Sequence, residues 1–78
     1  MQKQQKQRNK LDLHGKRHSE VFDLVDVFIS NHLYDTEVEI VTGYSQRMKD
    51  IVQEVLSDYN LVGVQPPFND GTLIVRLI

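Results

Sequence analysis

Met48, Ile51, Val52, Val55, Leu56 and Tyr59 recur at the spacing i, i+3, i+4, i+7, i+8, i+11, a pattern that puts six apolar side chains on one face of a helix. Ser45 stands where an N-cap belongs, and Asn60 marks the end with a residue that tolerates the left-handed conformation. Just upstream, Glu37 to Val41 alternates with a period of two. Val38 and Ile40 then point to one side and Glu37 and Glu39 to the other, as in a strand buried on a single face. A strand running into a helix through Thr42-Gly43 commits this part of the chain to α/β structure.

The same succession occurs earlier. In Leu11-Asp12-Leu13-His14-Gly15 the leucines face one way and the acid and imidazole the other, so a strand is expected over roughly Lys10 to His14. Gly15 permits a sharp turn without a Cβ clash. A helix over about Ser19 to Leu33 follows, with Val21, Phe22, Leu24, Val25, Phe28, Ile29 and Leu33 inward and Glu20, Asp23, Asp26 and Ser30 outward. Val27 breaks the pattern toward solvent, and Ser19 is the best N-cap by residue type, with Arg17 or His18 in its place if the helix begins earlier. Strand, helix and strand in this order imply a right-handed crossover and a parallel pair.

Downstream, Leu61 to Val64 and Leu73 to Ile78 read as two further strands joined by Pro66-Pro67-Phe68-Asn69-Asp70-Gly71, a segment that stops pairing and then turns the chain. Asp12, Glu37, Glu39 and Arg76 all fall on the side of their strands away from the core, so both helices should cover one face of the sheet only. The expected fold is a two-layer α/β sandwich, β-α-β-α-β-β, with a four-stranded mixed sheet.

Composition narrows the class. A chain of 78 residues without cysteine has room for one core and no disulfide or thiolate-metal support, which fits a reducing, cytoplasmic setting. No apolar run approaches the ~18 residues of a membrane span, and no hydrophobic segment follows the basic N-terminus as in a secretory signal. Residues 1–17 carry six Lys or Arg against Asp12 alone, whereas residues 18–78 carry Arg47, Lys49 and Arg76 against ten acids. A polyanion is therefore drawn to the first part and repelled by much of the second. Met1 to Lys10 has too little apolar surface to order itself and reads as a flexible tail ahead of a domain over residues 11–78, serving either as a solubilising leader or as an electrostatic arm.

Chemistry concentrates at Asp12 and His14, because a carboxylate beside an imidazole fixes its tautomer and orientation for acid–base work. Asp12 has a plainer reading as an open-face charge paired with Arg76, and His14 one as an ordinary strand-end histidine. Lys16, Arg17, Arg47 and Lys49 follow the two points where a strand enters a helix, and the free amides of the helix start near Ser45, just after Thr42 and Gly43, form an anion site. Tyr44 reads either as a base-stacking aromatic or as a loop aromatic covering the sheet edge. His18, four residues after His14, suggests a divalent metal only weakly, so no metal or cofactor is indicated, and His18 and His32 read as surface residues. The fingerprints of nucleotide-binding loops are absent, since Thr42-Gly43-Tyr44-Ser45 lacks their glycines and lysine.

With these residues in place, the chain after residue 10 resembles the small MutS-related, or Smr, domain. The resemblance rests on Leu11 to Gly15, on Val41-Thr42-Gly43, on the helix start Met48-Lys49-Asp50-Ile51-Val52, and on Gly71-Thr72-Leu73-Ile74-Val75-Arg76-Leu77. It implies a fold similar to the C-terminal domain of a bacterial translation initiation factor, and an activity drawn from nicking endonucleases on DNA and endoribonucleases, some acting on messenger RNA at stalled ribosomes. It further implies that Asp12 and His14 are the catalytic pair. The second motif of the family is His or Thr, Gly, Lys or Arg, Gly; here Tyr44 and Ser45 replace its second half, and the loop to Met48 is about one residue shorter.

Three functions follow as expectations. The first is a small endonuclease cleaving phosphodiester bonds, on RNA ahead of DNA. The second is a catalytically degenerate module of the same fold that binds RNA, DNA or a ribosomal surface. The third, an adaptor using the acidic first helix, is disfavoured by the basic residues around Asp12 and His14.

Overall fold

The computed structural model describes residues 8–78; of the tail expected over residues 1–10, residues 1–7 lie outside the described residues. The elements are β1 (Asn9–Asp12), α1 (His18–Asn31), β2 (Glu37–Val41), α2 (Gln46–Asp58), β3 (Gly63–Val64) and β4 (Thr72–Arg76), in an open sheet of order β1-β2-β4-β3. This is the expected β-α-β-α-β-β succession and the expected mixed sheet. β1 and β2 run parallel, with Asp12 opposite Val41, and β4 lies antiparallel between β2 and β3.

The core is a single cluster. Leu13, Val38, Ile40, Leu73 and Val75 from the sheet side meet Val21, Val25 and Ile29 of α1 and Met48, Val52, Val55 and Leu56 of α2, all buried. Ser45 caps α2 by accepting the Met48 N–H at 3.1 Å. At the other end Asn60 takes φ +61°, and the N–H groups of Asn60 and Leu61 return to the Ser57 and Leu56 carbonyls at 3.0 and 2.9 Å. This is the Schellman closure that the asparagine foreshadowed. It uses Leu61 to finish the helix, which is why β3 shortens to two residues instead of starting at Leu61.

Other expectations are corrected. β1 begins at Asn9, so residues 9 and 10 belong to the sheet and not to a tail. A polar edge strand has no apolar alternation to announce it; this one is held by Asn9 Nδ2 donating to Asp35 at 2.8 Å and by Arg8 ion-paired to Glu37 and Glu39 at 3.1 and 3.6 Å. The helix α1 takes the earlier of the starts weighed for it: its N-cap is Arg17 and not Ser19, the Arg17 N–H donates to the Glu20 carboxylate at 3.3 Å, and Ser19 lies inside the helix. Phe22 and Leu33 are exposed, because the buried stripe narrows to Val21, Val25 and Ile29 and the helix ends at Asn31. His32 is not a free surface residue: its Nδ1 lies 2.7 Å from the Phe28 carbonyl and its ring packs on Phe28, closing the end of α1. Arg76 pairs in register with Glu37, at the opposite end of β4 from the level of Asp12. The ion pair between Asp12 and Arg76 is therefore ruled out.

The two helices are latched by Tyr59, whose hydroxyl donates to the Asp26 carboxylate at 2.6 Å. That hydrogen bond, with some burial and the carboxylate's charge, raises the phenol above its ordinary 10.0. A phenol that ionises later in the folded than in the unfolded chain stabilises the fold at and below the ordinary tyrosine range, and the contribution disappears as pH rises through the folded value. Denaturation followed from neutral into alkaline solution should show this loss in the wild type and a smaller one in Tyr59→Phe; identical alkaline profiles would mean that the latch carries no stability.

Candidate functional site

Because β1 and β2 are parallel and paired Asp12 to Val41, the residues that follow them emerge at one edge of the sheet. The Leu13 N–H still donates to the Val41 carbonyl at 2.8 Å, so His14 and Gly43 leave the sheet side by side. On the first strand the chain turns at once. Lys16 N–H closes onto the Leu13 carbonyl at 2.9 Å with Gly15 at φ +84°, a backbone conformation that a side chain would strain. Lys16 and Arg17 are thereby exposed just after His14, and α1 starts directly behind them.

Asp12 and His14 lie close together and open to solvent, with side chains 62% and 73% exposed. Asp12 Oδ1 accepts the backbone N–H of His14 at 3.0 Å, while the imidazole Nδ1 stands 3.7 Å from the same oxygen. The carboxylate thus fixes the backbone of His14 first. The ring is near it, at a separation just beyond a hydrogen bond.

On the second strand, Thr42 and Gly43 both donate their N–H groups to the Gly71 carbonyl, at 2.9 and 3.0 Å. Thr42 is buried and its hydroxyl donates to the Gly43 carbonyl at 2.8 Å, which makes it a brace of the loop and keeps its side chain away from any bound molecule. Gly43 has φ +72°, and Tyr44 beyond it is 80% exposed. The Ser45 hydroxyl is taken up by the Met48 N–H, leaving the amides of Gln46 and Arg47 without an intrahelical acceptor. Arg47 is exposed, and Lys49 Nζ donates to Gln65 at 3.0 Å.

Two helix starts therefore reach this edge, and they differ electrostatically. The first turn of α1 contains Glu20, which already accepts the Arg17 amide; the first turn of α2 contains no acid. The start of α2 is the better place for an anion. Among the described residues no group of three or more His, Cys, Asp or Glu is arranged to hold a metal, and His18 is an exposed first residue of α1. Among the same residues no helix is long and apolar enough to cross a membrane.

Three residues at this edge are not among the site residues expected from the sequence. Gly71 and Gln65 act through contacts across 28 and 16 positions of chain respectively, Gly71 on Gly43 and Gln65 on Lys49, and nothing local signals either. Phe68, 95% exposed at the head of the β3–β4 loop, does carry a signal, an aromatic among turn formers. No family model matches the chain, no curated protein is similar to it at a significant level, and no solved structure matches it.

Proposed function

We propose that the protein is a small Smr-like endonuclease that binds nucleic acid at the edge where β1 and β2 end, with RNA ahead of DNA, and cleaves a phosphodiester bond there. The observation that carries this reading is the juxtaposition of the exposed Asp12–His14 pair with the acid-free start of α2, issuing from adjacent parallel strands. In this reading a phosphate rests on the Gln46 and Arg47 amides under the positive charge of Lys16, Arg17, Arg47 and Lys49. His14 either takes the proton from the hydroxyl that attacks phosphorus or gives one to the oxygen expelled as its P–O bond breaks, and Asp12 holds His14 in place through its backbone N–H.

A second reading has its own observation. At 3.7 Å from Asp12 the imidazole lacks the hydrogen bond that would set its tautomer, and Asp12 already serves the turn. On that basis the same edge is a binding module without chemistry, on RNA, DNA or a ribosomal surface.

Both readings need phosphate contact, and salt dependence tests it. For a single strand, log affinity falls against log salt by roughly 0.7 per phosphate neutralised. Replacing Lys16 and Arg17 together by Gln should weaken RNA binding and make that slope shallower by roughly 1.4. An unchanged slope would remove these residues from the phosphate path.

A further inference from the structure

Phe68 sits in a segment built to hold it out. Pro66 and Pro67 restrict the chain, the Asn69 N–H closes back on the Pro66 carbonyl at 3.3 Å, and the Asn69 side chain accepts the Gly71 N–H at 2.9 Å. The ring gains almost nothing from folding, being 95% exposed. Its loop is fixed to the candidate site at both ends. Gly71 accepts the Thr42 and Gly43 N–H groups, with Gly43 Cα only 3.7 Å from where a Gly71 Cβ would lie, and Gln65 accepts the Lys49 ammonium at 3.0 Å. Tyr44, the residue after Gly43, is 80% exposed in the adjoining loop. Two open aromatic rings thus stand on neighbouring loops at the edge that carries Lys16, Arg17, Arg47 and Lys49, with Asp50 and Asp70 partly engaged by Gln46 and Gln65.

From this arrangement we infer that Phe68 and Tyr44 form a base-stacking platform, and that the ligand of this edge is a single-stranded nucleic acid whose unpaired bases lie on the two rings while its phosphates meet the basic side chains. The inference rests on the proposed nucleic-acid function and adds its substrate class. Bases inside a duplex are stacked on one another and have no face to offer, whereas any unpaired base has one. An isolated exposed aromatic is ordinary on a protein surface. Here two of them adjoin a cationic edge, and the backbone that carries one of them is already tied down by the Asn69 and Gly71 hydrogen bonds, so binding has less chain left to order.

Tyr34 supplies the control. It is 96% exposed, but it precedes β2 and so belongs to the opposite edge of the sheet.

The test is fluorescence anisotropy with an end-labelled single-stranded RNA and a duplex of equal length. The wild type should prefer the single strand. Phe68→Ala and Tyr44→Ala should each weaken single-strand binding by roughly 5- to 100-fold, leaving duplex binding and the Tyr34→Ala variant unchanged. Phe68→Leu, apolar without a ring, should behave like Phe68→Ala. Because the chain contains no tryptophan, Phe68→Trp adds a single reporter whose emission should be quenched by the single strand and not by the duplex. Single-strand binding that survives both Phe68→Ala and Tyr44→Ala, or indole emission that stays unquenched when the Phe68→Trp variant forms its complex, overturns the platform and leaves the nucleic-acid reading standing. Absence of binding to either nucleic acid by the wild type overturns both.

Discussion

Replacing Leu56 by alanine is expected to remove a large part of the stability of the fold. Leu56 is fully buried where α2 meets β3, and one of its methyl groups lies 3.2 Å from the position that a Gly63 Cβ would occupy. Gly63 has no side chain with which to fill a void there. Leu→Ala truncations at such sites cost about 2–5 kcal/mol. A chain of 78 residues has a total of only about 4–12 kcal/mol. The Tm should fall by at least ~10 °C, read by circular dichroism. Val27→Ala offers the contrast: Val27 is 56% exposed on α1, and its loss should stay within about 0.5 kcal/mol. Equal effects from the two substitutions would contradict the placement of the core.

The larger effect on activity is expected from His14→Ala, which should slow RNA cleavage by ~10²–10⁴ if the imidazole moves the proton, while binding stays nearly intact. Asp12 has two roles that substitution can separate. Asn at position 12 keeps an oxygen to accept the His14 N–H and discards the charge, whereas Ala discards both. Asp12→Asn should therefore be milder than Asp12→Ala, by the amount the turn contributes. Indistinguishable rates for the two variants would assign the effect to charge alone.

How far the sequence discloses this molecule depends on whether a feature is set locally. β2 falls at Glu37–Val41 as the alternation predicts, and α2 begins after Ser45 and ends before Asn60, because period, cap and closure all lie within a few residues of one another. β1 is harder to read. Its first residues are polar, and the partners that hold its N-terminal end, Asp35, Glu37 and Glu39, lie more than twenty positions away. α1 carries more apolar residues than its contact with the sheet can use, so periodicity overstates its buried face at Phe22 and Leu33. His32 is hard to read for a similar reason, since only the end of α1 at Asn31 shows that its ring closes a helix.

For the site, the i, i+2 spacing of Asp12 and His14 and the parallel pairing suffice to bring that pair and Gly43 to one edge. Spacing carries no information that the Asp12 carboxylate meets the His14 backbone more closely than its ring, or that Thr42 is buried as a brace. Nor can it bring the loop that carries Phe68 beside the loop that carries Tyr44. That proximity comes from the antiparallel pairing of β2 with β4, which sets Val41 opposite Thr72 and so places the two loops together.

The central claim is that the edge formed by Asp12, His14 and the start of α2 cleaves RNA. Incubation of the purified protein with end-labelled single-stranded RNA through the neutral pH range, where imidazoles exchange protons, tests it most directly. The wild type should cut the RNA at discrete internal positions, and His14→Ala should bind the RNA and leave it intact. RNA bound and left uncut by the wild type throughout that range, with His14→Ala binding equally well, would contradict the claim.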